Sequence, residues 1–171
     1  MFSDKKNMFL CAECYIQKDN KTLMLYRNKK ENDINKNKWI GLGGKFEPGE
    51  SPEECLIREV KEEAGVELTK FKLRGFITFN DITKSLDNLY YIFIYTASEY
   101  TGEIGPCNEG ELKWIDNDKI LDLELWEGDR IFWGWLLNDN RFFSASFIYE
   151  LDKLIKNDVI FYSAATQKYD N

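Results

Sequence analysis

The sequence contains no histidine, and its basic residues are outnumbered: 23 Lys and Arg against 30 Asp and Glu leave a formal net charge of −7. That balance argues against binding to nucleic acid backbones, which calls for a basic surface. A phosphate-bearing substrate would have to be met through intervening cations. Long hydrophobic runs are also missing, so no stretch reads as a membrane span, and the opening MFSDKKNMFLCAECYI has neither the apolar core nor the cleavage site of a signal peptide. The expected location is the cytoplasm. Cysteine is sparse, with four in all, Cys11, Cys14, Cys55 and Cys107. Cys11 and Cys14 form a C-x-x-C pair, a spacing used by zinc and redox sites. They lie in a strand-like run, however, where an odd offset points the two side chains to opposite faces, so inert thiols are the favoured reading.

What is present is material for a core: 43% of the residues are hydrophobic and 15% aromatic in a chain of 171, which suits one compact domain over residues 1–171. Residues 8–17 and 22–27 read as two strands joined by the polar turn KDNK. The Asn- and Lys-rich NKKENDINKNK that follows reads as an exposed connection. FKLRGFITFN, NLYYIFIYTAS and ELKWID carry strand composition, LWEGDRIFWGWLL reads as a buried helix, and RFFSASFIYE as a further strand. From Asp152 onward the chain is expected to be a C-terminal tail, a short helix or strand fading into polar residues.

Residues 43–66, GGKFEPGESPEECLIREVKEEAGV, hold seven glutamates and one arginine. Ser51, Pro52 and Glu54 match an N-cap serine, an N1 proline and a capping-box acid, and Gly65 fits a left-handed helix end, which predicts a helix over Pro52–Ala64. Leu56, Val60 and Ala64 recur every four residues and face the core. Glu59, Glu62 and Glu63, at i, i+3 and i+4, share another face and repel one another. Something positive should compensate. Arg58 is one candidate, and a hard divalent cation in an all-oxygen site is another, since magnesium bridges carboxylates to phosphates. The plain alternative is a solvated acidic face.

The spacing decides in favour of a site. Gly44, Glu50, Arg58, Glu59, Val60, Glu62, Glu63, Gly65 and Val66 fill every fixed position of G-x5-E-x7-R-E-U-x-E-E-x-G-U, where U is aliphatic. This is the Nudix box, and the chain resembles the Nudix hydrolases. The resemblance implies an α+β fold, an α/β/α sandwich with a mixed β-sheet between helices, and metal-dependent hydrolysis of a diphosphate linked to another moiety. It implies that Glu59, Glu62, Glu63 and the Gly44 carbonyl hold Mg2+, or Mn2+, while Glu50 and Arg58 form a supporting ion pair. A general base is also required: either a box glutamate such as Glu62 or a glutamate on a later loop. CNEGELKWI offers Glu109 and Glu111, of which Glu109 has the spacing from Trp114 found in MutT-type members.

For the substrate, KWIGLGGK and LWEGDRIFWGWLL resemble segments of MutT-type purine nucleoside triphosphate diphosphatases acting on 8-oxo-dGTP. On that resemblance Trp126 stacks on the purine, Asp129 bonds its edge, and Gly43 and Lys45 belong to the substrate site. Trp126 as core and Asp129 as a helix-start acid stand as the structural alternative. Two departures accompany the likeness: Gly128 stands where animal oxidised-purine hydrolases have a second acid, and Ile40 where they have asparagine. Phe46, Phe79 and Tyr91 line the pocket or fill the core. The expected partner is a small nucleotide, with no nucleic acid polymer and no membrane. Rival readings are a hydrolase of dinucleotides or sugar nucleotides, and a non-catalytic nucleotide-binding module. The retained Glu59, Glu62 and Glu63 favour hydrolysis.

Overall fold

The computed structural model describes residues 7–82 and 88–163. Strands β1 (Asn7–Lys18) and β2 (Lys21–Tyr26) form the expected hairpin, turning through Asp19 and Asn20, both at positive φ (51° and 59°). That geometry belongs to the tight turns whose twist matches paired strands, and Asp and Asn tolerate it better than most residues. Short strands β3 (Trp39–Ile40) and β4 (Leu42–Lys45) lead into helix α1 (Pro52–Ala64). Long strands β5 (Glu67–Asp81) and β6 (Asn88–Thr101) follow, then β7 (Glu111–Asp116), a 3-10 segment (Asn117–Asp122), helix α2 (Glu127–Asn138), β8 (Phe142–Glu150) and β9 (Lys153–Tyr162).

All nine of these strands belong to one sheet, ordered β3-β2-β1-β6-β5-β8-β9, with β4 paired to β1 and β7 to β2. The pairing is mixed: β1 and β6 run parallel, as do β5 and β8, and the other neighbours are antiparallel. Each face is covered by a helix, giving the sandwich that the resemblance implies. On one face Leu56, Val60 and Ala64 of α1 pack with Ala12, Cys14, Ile16, Leu23 and Leu42. On the other, Phe132, Trp133 and Leu136 of α2 pack with Tyr15, Met24, Ile94 and Phe143. Alternation along β1 produces the division, sending Ala12, Cys14 and Ile16 to one side and Tyr15 to the other. Cys11 and Cys14 are accordingly separate free thiols, as are Cys55 and Cys107.

Two sequence expectations change. The segment from Asp152, left open between a short helix and a strand in a fading tail, takes the strand and extends it: β9 is hydrogen-bonded along β8 at the sheet edge, with Val159 and Phe161 packed into the α2-side core; residues beyond 163 lie outside the described chain. NKKENDINKNK is not simply an exposed connection. Asp33 accepts from Arg27 Nε (2.6 Å) and from the Asn35 backbone N–H (2.9 Å), folding the loop back over the sheet. Among the described residues no helix is long and apolar enough to cross a membrane.

Candidate functional site

Helix α1 sets the first half of the site. Its start is fixed by a reciprocal capping box: Ser51 Oγ accepts from Glu54 N (3.2 Å), and Ser51 N donates to Glu54 Oε2 (2.8 Å). Its end is fixed by Gly65 at φ 76°, whose N–H reaches the Lys61 carbonyl. Burial of Leu56, Val60 and Ala64, each 0% exposed, then sets the helix rotation. The glutamates therefore point along the sheet toward β4.

Arg58 is the hub of the box. Its guanidinium donates to Glu50 through Nε (2.6 Å) and Nη2 (2.9 Å), to Glu59 (2.7 Å), and to the Lys45 carbonyl (3.0 Å), and it lies 3.5 Å from Glu62. The paired guanidinium holds the Glu50 carboxyl down at about 2, and the same carboxylates raise Arg58. Three glutamates of one face thus take three environments. Glu62 is 59% exposed, Glu59 is 16% exposed, and Glu63 is 5% exposed and accepts from the Gly43 N–H (2.8 Å). Burial pushes the Glu63 carboxyl up to about 8 against the opposing Gly43 N–H, with the Glu109 charge adding to the rise. Glu59 is also raised, by burial first, although Arg58 opposes this.

A second hub was not legible in the sequence. Arg27, at the end of β2, bonds Asp33, pairs closely with Glu109, and lies 3.5 Å from Glu63. Lys30 also pairs with Glu109. Glu109 thus stands beside the box at the start of β7, while Glu111 bonds Asn28 (2.7 Å) and lies apart from this group. Only its basic character marks Arg27 in the sequence, because the partners that define it lie 6, 36 and 82 residues away.

Among the described residues, no three acidic or thiol side chains are gathered around one point. The two arginines lie among them. The donor set nevertheless suits a hard divalent ion. It is all oxygen, two of its carboxyls are raised by burial, and Gly44 brings the backbone so close to Glu59 that a Cβ there would overlap the carboxylate. Glu59, Glu62, Glu63 and the Gly44 carbonyl are the residues able to hold it.

The second half of the site comes from the other face of the sheet. Trp126 stands at the N-cap of α2 and Asp129 in its first turn, without a side-chain cap bond. The indole N–H of Trp126 donates to Asn35 Oδ1 (2.9 Å), its ring meets Phe79 and Tyr149 edge to face, and Lys38 Nζ lies 5.4 Å from its centroid. Gly128 N donates to Tyr149 Oη (2.7 Å) in the buried layer below. Asp129 is raised well above the usual carboxylate range by burial, with the nearby Glu13 charge adding to it and Lys38 opposing.

A single cavity of about 740 Å³ joins both halves. Its lining includes Gly43, Gly44, Lys45, Arg58 and Glu59 from the box, Arg27 and Glu109 beside it, and Trp126 and Asp129 at the far end. Phe46 and Phe79 line it as well. Tyr91 does not; its neighbour Tyr90 faces the cavity, and Tyr91 stacks on Phe76 instead (5.8 Å). Ile40 lines the cavity where the resemblance would place asparagine. Sequence reading missed Glu13, Asn32, Asp33 and Asn35 in the wall, three of them in the loop taken for a plain connection.

Comparisons with known proteins agree with this architecture. The NUDIX domain family model matches residues 10–136. The uncharacterized Nudix hydrolase YvcI of Bacillus subtilis (strain 168) is 31% identical over 142 residues, 81% of this chain and 85% of that protein. An oxidized purine nucleoside triphosphate hydrolase of Danio rerio is 33% identical over 105 residues, spanning 61% of this chain and 66% of the relative. The crystal structure of a MutT protein from Bacillus halodurans superimposes with a TM-score of 0.79 at 25% identity, covering 88% of this chain and 97% of the other. An unbroken box on α1, the mixed sheet between helices and these matches agree: the chain belongs to the Nudix family of hydrolases.

Proposed function

We propose that this single-domain Nudix hydrolase cleaves purine nucleoside triphosphates, oxidised ones such as 8-oxo-dGTP among them, to the monophosphate and pyrophosphate, in the cytoplasm and with Mg2+ or Mn2+. The observation that carries the reading is the continuity of the cavity. Glu59 and Gly44 at one end and Trp126 with Asp129 at the other line the same space, and its volume of about 740 Å³ is that of a small-molecule site. Homologues named as oxidised-purine hydrolases and 8-oxo-dGTP diphosphatases support the choice of base.

Each residue has a task in this reading. Glu59, Glu62, Glu63 and the Gly44 carbonyl hold the divalent ion, which when bound neutralises phosphate oxygens and favours in-line attack by water. Arg58, fixed by Glu50, keeps Glu59 oriented. Glu109 takes the proton of the attacking water, held in place by Arg27 and Lys30. Glu62, more exposed, is the other candidate base. Lys45, at the end of β4, meets the phosphate chain, and Gly43 lets β4 lie against β1, where a Cβ would overlap the Ala12 carbonyl. Trp126 offers a flat face to the base, and Asp129 accepts from its edge.

The test is pyrophosphate and orthophosphate release from 8-oxo-dGTP, dGTP, other nucleoside triphosphates, a dinucleotide and a sugar nucleotide, with and without magnesium, and with Glu62→Gln as control. Metal-dependent pyrophosphate release from purine triphosphates, lost in the variant, is expected. Inert triphosphates beside a cleaved dinucleotide or sugar nucleotide would move the substrate class and leave the hydrolase standing.

A further inference from the structure

Gly128 leaves the base end of the cavity without the second acid expected beside Asp129, yet a second carboxyl is there. It comes from the opposite wall. Glu13 projects from β1 toward the α2 side, between Ala12 and Cys14, which turn to the α1 side. Its Oε1 accepts from Tyr15 Oη (2.7 Å) and from the Gly41 N–H (2.9 Å). A Cβ on Gly41 would come within 2.9 Å of Glu13 Cγ, so the absence of a side chain there makes room for the acid. Among the described residues, neither Glu13 nor Asp129 is in a salt bridge, and Asp129 takes no side-chain hydrogen bond. Lys38, 5.4 Å from the Trp126 ring centroid, pairs with Glu124 (3.8 Å).

We infer that Glu13 is a specificity-determining residue: with Asp129 it forms an acid pair, assembled from β1 and α2, that selects purines bearing adjacent N–H donors. The inference rests on the nucleotide reading proposed above. A guanine-type edge presents a ring N–H beside an exocyclic amine, whereas adenine presents a ring acceptor beside its amine. N–H donors on the bound edge favour the ionised forms of the two acids, which only accept, so two of them converging on one edge favour the first pattern over the second. Tyr15 and Gly41 are positioning residues here. They occupy Oε1 and leave Oε2 for the ligand. Cys11, Phe79, Tyr90 and Trp126 also line this cavity.

Glu13→Gln separates this role from a structural one. Its amide oxygen still accepts from Tyr15 and Gly41, while an NH2 replaces Oε2 and reverses the hydrogen-bond polarity at that point. The measurement is calorimetric binding of dGMP, 8-oxo-dGMP and dAMP to the metal-free full chain, which reads the base without hydrolysis. Glu13→Gln is expected to weaken both guanine nucleotides about tenfold while dAMP binding is unchanged or tighter, the scale of one lost hydrogen bond to a charged group. An unchanged ratio of dGMP to dAMP affinity overturns the inference. If Asp129→Asn shifts the ratio and Glu13→Gln does not, Asp129 reads the base alone and the proposed substrate stands. If neither variant nor Trp126→Ala alters binding of any monophosphate, base recognition in this cavity fails and Glu13 falls with it. Should Glu13→Gln fold poorly, Tyr15→Phe frees Oε1 without altering charge, and it is expected to cut the ratio about threefold; no change there also overturns the inference.

Discussion

The two ends of the cavity handle like charge in opposite ways. At the box end the carboxylates face guanidinium groups: Glu50, Glu59 and Glu62 meet Arg58, and Glu63 and Glu109 meet Arg27. At the base end Glu13 is held by a hydroxyl and a backbone amide, no salt bridge reaches Glu13 or Asp129 among the described residues, and burial raises both carboxyls, with the Lys38 charge opposing at Asp129. The first arrangement suits exchange of partners, because a divalent ion or a phosphate can replace one side of an ion pair already formed. The second suits a neutral ligand, because a base pays little desolvation and meets groups whose hydrogen-bonding capacity is still open.

Substitutions at the box end should cost most. Glu109→Gln keeps the shape beside Arg27 but removes the proton acceptor, and kcat is expected to fall about 10² to 10⁴-fold in pyrophosphate-release assays. Intact turnover and intact metal dependence in that variant would reduce Glu109 to a partner of Arg27. Next come Arg58→Ala and Glu50→Gln, which leave Glu59, Glu62 and Glu63 in place and disturb their orientation. A loss of about 10 to 100-fold in metal affinity is expected by magnesium or manganese titration of activity.

At the base end the effects should be smaller and fall on binding. Trp126→Ala is expected to raise KM about tenfold for purine triphosphates with kcat largely kept, since stacking on one aromatic ring contributes about 1 to 3 kcal/mol. An equal rise for a sugar nucleotide would mean that the indole does not touch the base. Smallest is a stability effect. Asp129 titrates above its ordinary 3.8 in the fold, so its contribution is present below that value and lost as pH rises through the raised one. Asp129→Asn should therefore gain in Tm relative to the parent across the window from about pH 4 upward in metal-free buffer. A difference that stays flat across this window would show that the carboxyl is solvated.

The box half was largely legible because its determinants are local. Ser51, Glu54 and Gly65 cap one helix, Leu56, Val60 and Ala64 orient it, and the acids follow from the same 3.6-residue period. Strands β1, β2, β5 to β8 and helix α2 could be read for the same reason. β9 was harder to read, since LIKNDVIFY alternates weakly and becomes a strand through the pairing edge that β8 offers. The NKKENDINKNK loop carried no apolar period at all. It is held by Arg27 to Asp33 and by Trp126 to Asn35, the second a contact across 91 residues.

By itself, the sequence determined the family, the helix that carries the acids and the candidate metal-holding residues, because spacing along one α-helix converts directly into a shared face. Tertiary structure alone decided that Glu63 and Glu109 meet Arg27, since Arg27 and Glu109 are 82 residues apart. It also decided that Glu13 stands in the same cavity as Asp129. A strand states only that its side chains alternate; which side becomes the site depends on what the sheet buries against each face.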